Sequence, residues 1–174
     1  SKDRFYDRDQ LDERLIIDGN LKLVDHIINQ IDTDGNKYIH ITLAFKEDHL
    51  SNDLLKKITS EFKDYFLNAY TDDEIPFYAE SHLPKIKSYH DRKSGQVVER
   101  KPHIHIVIPQ INLMTDTKFG FPYDKYQEHI NAFQEYINCK YGLASPKDNR
   151  RDGFNKYSEV ISRYKGDTFN GPSN

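Results

Sequence analysis

Apolar positions along the chain fall into two periodicities separated by polar breaks. Leu21, Leu23, Val24, Ile27, Ile28 and Ile31 recur at three- and four-residue spacing, which predicts an amphipathic helix over roughly 20–31. Asp18-Gly19-Asn20 is a turn signal ahead of it, and Asp32-Thr33-Asp34-Gly35-Asn36 breaks it. Tyr38 to Phe45 alternates and reads as a strand. Ser51 is placed as the N-cap of a long helix carrying Leu54, Leu55, Ile58, Phe62, Phe66 and Leu67. Pro76 to His82 is a short strand. Ile86–His90 and Gln96–Arg100 flank Arg92-Lys93-Ser94-Gly95 as a hairpin. Lys101-Pro102-His103-Ile104-His105-Ile106-Val107-Ile108-Pro109 then reads as a buried strand. Tyr126, Ile130, Phe133, Ile137 and Tyr141 mark a further helix closed by Gly142, and a last helix is expected over about 154–164. Lys2 to Arg14 is dense in charge and reads as a surface loop or short exposed helix, with no strand before Asp18. Strands that follow one another without a helix between them imply antiparallel pairing. The expected fold is α+β, a central antiparallel sheet of about five strands with flanking helices. It forms one domain over 1–165, with a polar tail or linker over 166–174.

The strand at 103–109 carries the chemistry. Residues i and i+2 of a strand share a face, so His103 and His105 project together, about 7 Å apart, while Ile104, Ile106 and Ile108 face the other way. Two imidazoles on one face can grip a metal ion, and a catalytic site takes a third protein ligand. That ligand belongs on a neighbouring strand. His82, which ends the 76–82 strand, is the first choice, His90 the second and His40 the third. Glu80 shares the parity of His82 and is placed to orient it from behind. His26, His49 and His129 lie beside acidic residues and read as solvated surface. Tyr38, Tyr65, Tyr126 and Tyr136 read as core or half-buried packing.

Composition narrows the class. The 174 residues include 12 Tyr and 10 Phe, which supply a core despite 30% charged residues. The single cysteine, Cys139, excludes an intrachain disulfide and a cysteine-rich zinc site and fits a reducing, cytoplasmic compartment. No apolar run is long enough to span a bilayer. The net charge of −3 does not announce a nucleic-acid binder, but it is unevenly spread. From 85 to 101, the basic residues Lys85, Lys87, Arg92, Lys93, Arg100 and Lys101 face only Asp91 and Glu99. A basic hairpin beside a metal site suits a phosphate backbone, and Tyr89 within it suits base stacking. A solubilising surface hairpin is the alternative. Lys147, Arg150 and Arg151 form a second, weaker cluster.

His103-Ile104-His105 resembles the His-hydrophobic-His motif of the single-strand endonucleases that initiate conjugation and rolling-circle replication. The resemblance tightens toward the mobilisation relaxases. Asp18-Gly19-Asn20 with its helix, and Lys37-Tyr38 leading to Leu43-Ala44-Phe45, resemble the N-terminal part of that nuclease domain. Tyr78-Ala79-Glu80-Ser81-His82 resembles its strand ending in a metal-binding histidine. Val107-Ile108-Pro109, Leu113, Pro122-Tyr123, Ile137-Asn138, Tyr141-Gly142-Leu143 and Pro146 are similar to its later pattern, so the match runs over roughly 18–151.

The resemblance implies a five-stranded antiparallel sheet and a divalent ion, Mn or Mg, held by His82, His103 and His105. It implies site-specific nicking of single-stranded DNA by a tyrosine that stays joined to the 5′ end. The implied partners are single-stranded or hairpin DNA at a transfer origin, accessory relaxosome proteins and a coupling protein. The relaxase tyrosine lies near the N terminus after a first strand. Tyr6 is the sole tyrosine ahead of Asp18. The expectation is that the first strand and the true nucleophile lie ahead of Ser1. Replication initiators and transposases of the same superfamily place the tyrosine later, where Tyr123, Tyr126, Tyr136, Tyr141 and Tyr157 stand. Two other readings compete. A metal-free phosphoesterase with paired His-x-Thr motifs would use His40-Ile41-Thr42, but His105 stands where its second hydroxyl is needed. A nuclease-inactive single-stranded-DNA-binding module would need no nucleophile at all.

Overall fold

The structure, a computed structural model, describes residues 7–120 and 123–145. In chain order the elements are α1 (Arg8–Leu11), β1 (Asp12–Asp18), α2 (Leu21–Gln30), β2 (Tyr38–Ala44), α3 (Asn52–Phe66) and β3 (Tyr78–Pro84). There follow β4 (Ser88–His90), β5 (Val97–Glu99), β6 (His103–Pro109), β7 (Ile111–Asn112), β8 (Thr117–Lys118) and α4 (Tyr123–Tyr141). Four strands form the central sheet in the order β1-β3-β6-β2, with every neighbouring pair antiparallel. The α+β class is as expected, with four strands in that sheet among the described residues rather than about five.

Local rules account for the helices. Asn20 caps α2 by accepting from the Leu23 amide at 3.1 Å, and Ser51 caps α3 by accepting from the Leu54 amide at 3.2 Å. After α4, Gly142 takes the left-handed φ of +64° that a helix C-terminus favours. Gly19, at φ +83°, makes the turn from β1 into α2 flat against β3. A Cβ there would sit 2.1 Å from the Phe77 carbonyl oxygen, so no larger residue fits.

The sheet is covered unequally. One face carries Ile39, Ile41, Leu43, Ala79, Ile104, Ile106 and Ile108 against Leu55, Ile58 and Phe62 of α3 and Ile130, Phe133 and Ile137 of α4, and this is the main core. On the other face, Val24 and Ile28 of α2 close over Tyr78 and Val107. The registers Asp12↔Pro84, His82↔His103 and Ala44↔His103 gather the start of β1, the end of β3, the start of β6 and the end of β2 at the opposite end of the sheet from α2's contacts. The histidines stand at that end.

Three sequence expectations are corrected. A strand does precede Gly19: β1 occupies Asp12–Asp18 and pairs along β3. Its alternation is hidden because Asp12 and Arg14 face the histidine side while Leu15 and Ile17 face the core. Charged residues are common on an edge strand, as β1 is. The β7–β8 hairpin was not expected, its strands being two residues each. Tyr65 and Tyr136 are exposed rather than packed in the core. Tyr6, Lys147, Arg150, Arg151, Tyr157, the helix expected over about 154–164 and the 166–174 tail lie outside the described residues. No described helix is long and apolar enough to cross a membrane.

Candidate metal centre

Strand parity and register assemble the site. His82 of β3 lies directly opposite His103 of β6, and Glu80 lies directly opposite His105. Directly paired residues share a face. His103 and His105, two apart on β6, therefore meet His82 on one surface. The rings converge further than the strand repeat alone suggests: ring centroids are 4.8 Å apart for His103–His105, 4.9 Å for His82–His103 and 4.5 Å for His82–His105. One ligand atom from each of the three lies within 4.8 Å of the others, so this group could hold a metal ion. His82 and His105 are buried and His103 is partly exposed, which gives the group a solvent-facing side.

Each imidazole is held by its other nitrogen. Nδ1 of His103 lies 2.9 Å from the Lys101 carbonyl oxygen, an acceptor only. That oxygen takes the Nδ1 proton and leaves the lone pair on Nε2. Nε2 of His82 lies 2.6 Å from Oε1 of Glu80, whose other oxygen accepts from the Tyr78 hydroxyl at 2.7 Å. Glu80, which shares the face of His82 as its parity suggested, is itself buried. Nδ1 of His105 lies 2.9 Å from Nε2 of His40 and 3.4 Å from the Thr42 hydroxyl.

Asp12 is a member of this neighbourhood that sequence reasoning missed. It is buried at the start of β1, with Oδ2 3.7 Å from Nδ1 of His82 and 2.5 Å from the Arg100 guanidinium. Only the unrecognised strand brings it there. The other expected site residues separate. His90 is exposed on β4 opposite Val97 and is not one of the group. The hairpin β4–β5 leaves the sheet after Pro84 and returns at Pro102, so it rises from the histidine end. Its base is tied down by Lys85 donating to the Asp9 carbonyl at 3.0 Å, Lys87 donating to the Asp48 carbonyl at 2.9 Å, and a Lys101–Asp48 ion pair. That ion pair holds the Asp48 carboxyl below the usual carboxylate range. Arg92, Lys93 and Tyr89 are exposed on the hairpin. Arg100 is committed to Asp12.

Burial, and then the positive charge that His103, His82 and His40 can carry, hold His105 far below its ordinary pKa of 6.5. The sign follows from linkage. Below about pH 6.5 the unfolded chain takes up a proton on this side chain that the metal-free folded chain refuses, so stability falls as pH falls and is flat above that value. One such group contributes a slope of at most about 1.4 kcal/mol per pH unit. Urea unfolding in a chelator should show stability dropping between pH 7.5 and 5.5, with a smaller drop in His105→Gln. An identical drop in both proteins would assign the effect elsewhere.

No family model matches the chain, and no curated protein or solved structure matches it either, so the geometry stands by itself.

Proposed function

We propose that the protein is a metal-dependent endonuclease that nicks single-stranded DNA in the manner of a mobilisation relaxase. The observation that carries this reading is the convergence of His82, His103 and His105 at one end of an antiparallel sheet. A divalent ion bound there would polarise a scissile phosphate and offset the charge that develops on it. The residues fit such an ion: three imidazoles, two with an acceptor on the outer nitrogen, and a solvent-facing side. An all-nitrogen donor set favours Mn over Mg, since Mg prefers oxygen ligands. The basic hairpin supports the nucleic-acid half of the reading. It rises beside the histidines and presents Arg92, Lys93 and the half-exposed Tyr89 to solvent.

The nucleophile is the open part of the chemistry. On the histidine face of the sheet, the described strands carry two tyrosines, Tyr38 and Tyr78. Tyr78 is 1% exposed and donates to Glu80, so it cannot reach a bound phosphate. The chain enters β1 at Asp12, next to His82. Tyr6 lies outside the described residues.

The test is incubation of the protein with single-stranded transfer-origin oligonucleotides and Mn²⁺. Salt-sensitive binding and nicking are expected, with a covalent adduct whose mapped tyrosine names the nucleophile. Failure of the protein both to bind and to nick would sink the reading. A second reading, a nuclease-inactive DNA-binding module, is favoured by the burial of Tyr78 and by the place of the half-buried Tyr38 opposite Pro109, at the far end of β6 from His103. Tight binding without any cleavage, unaffected by His103→Ala, would select it.

A further inference from the structure

The metal group uses three histidines, yet four meet on this face. His40 stands on β2 opposite Val107, which makes it the diagonal neighbour of His105 across the β2–β6 pair. Its ring meets that of His105 edge to edge, with centroids 5.1 Å apart and planes at 19°, and its Nε2 lies 2.9 Å from Nδ1 of His105. We infer that His40 is a positioning residue, which accepts the Nδ1 proton of His105 and so makes Nε2 the nitrogen that His105 offers to a metal. The inference rests on the metal-centre reading above.

The argument is one of proton accounting. A neutral imidazole carries one N–H, and the nitrogen without it is the ligand. His82 surrenders its N–H to a carboxylate and His103 to a backbone carbonyl. At Nδ1 of His105 the hydrogen-bond neighbours are His40 at 2.9 Å and the Thr42 hydroxyl at 3.4 Å. Thr42 is the longer and weaker partner. A buried N–H with a poor acceptor is costly, and the imidazole would relieve it by moving the proton to Nε2, which removes the ligand. His40 prevents this only as an acceptor, with its own proton on Nδ1. The near-parallel planes and the 2.9 Å approach of the two nitrogens bring the His40 Nε2 lone pair, which lies in its ring plane, to that proton. The same contact orients the His105 ring toward His82 and His103.

The test separates ring packing from the hydrogen bond. Mn²⁺ and Zn²⁺ titrations by calorimetry would compare the unaltered protein with His40→Phe, which keeps a flat ring and loses the acceptor, and His40→Gln, which restores an acceptor without the ring. His40→Phe is expected to bind metal 10- to 100-fold more weakly, the range for outer-shell partners of a metal histidine. His40→Gln is expected to recover most of that loss. Nitrogen-detected NMR of the zinc-loaded protein should place the His105 proton on Nδ1. Metal affinity unchanged in His40→Phe, or the proton found on Nε2, would overturn the role of His40 while leaving the metal centre intact. Absence of metal binding by the unaltered protein would instead bring down the metal-centre reading, and this inference with it. Should His40→Phe fail to fold, His40→Gln and the NMR assignment decide the question.

Discussion

His103→Ala and His105→Ala are each expected to cut Mn²⁺ affinity by at least about 100-fold, since loss of a ligand should exceed the roughly 10- to 100-fold cost of losing an outer-shell partner. Both rings lie within 5 Å of the other two group members, measured between centroids. Removing one leaves two imidazoles, which cannot close a three-ligand site. His82→Ala should behave alike, because Glu80 and the register of β3 hold its ring against both partners. His26→Ala, on the exposed side of α2, should bind metal as the unaltered protein does. Calorimetric titration at pH 7.5 measures all four. Unchanged affinity in His103→Ala and His105→Ala would mean that the cluster is a packed group of neutral histidines and no metal centre.

The second large effect lies on the opposite face of the sheet. Phe62 of α3 is fully buried, stacks on Phe66 with centroids 5.3 Å apart, and meets Phe133 of α4 edge-on at 5.1 Å. Phe62→Ala is expected to cost about 3–5 kcal/mol, since the cavity is walled by two helices and a sheet and collapses poorly. That is a large share of the roughly 5–15 kcal/mol that holds a domain together. Tyr136→Ala, at a position 55% exposed, should stay within about 0.5 kcal/mol. Urea unfolding with an unchanged m-value reads both. The fraction of Phe62→Ala that remains folded should bind metal normally, because Phe62 and the histidines stand on opposite faces of the sheet. Similar costs for the two substitutions would refute this account of the core.

Much of the scaffold was legible because local physics decided it. α2, α3 and α4 show the 3.6-residue apolar period, and their caps sit where Asn20, Ser51 and Gly142 place them. β2 and β6 show alternation with branched side chains. β1 was not legible, because Asp12 and Arg14 occupy positions where an isolated strand would show apolar residues. Asp12 is tolerable there because Arg100 reaches it from 88 residues away, and Arg14 because it pairs with Asp9 just ahead of the strand. β7 and β8 were too short to carry any period at all.

The site divides along the same line. Spacing by itself put His103 and His105 on one face of a strand and Glu80 on the face of His82, because a period of two leaves no choice. It also set the two faces of β6 apart, Ile104, Ile106 and Ile108 against the histidines. It could not choose among His82, His90 and His40 for the third position, nor find Asp12. Those choices depend on which strands pair and in what register, a matter of long-range packing rather than of neighbours in sequence. The β3–β6 register put His82 opposite His103, the β2–β6 register put His40 diagonally against His105, and β1 brought Asp12 to His82. The sequence by itself determined a pair of imidazoles and the strand that carries them. Tertiary structure alone decided their company, because each added group reaches the site along a different strand.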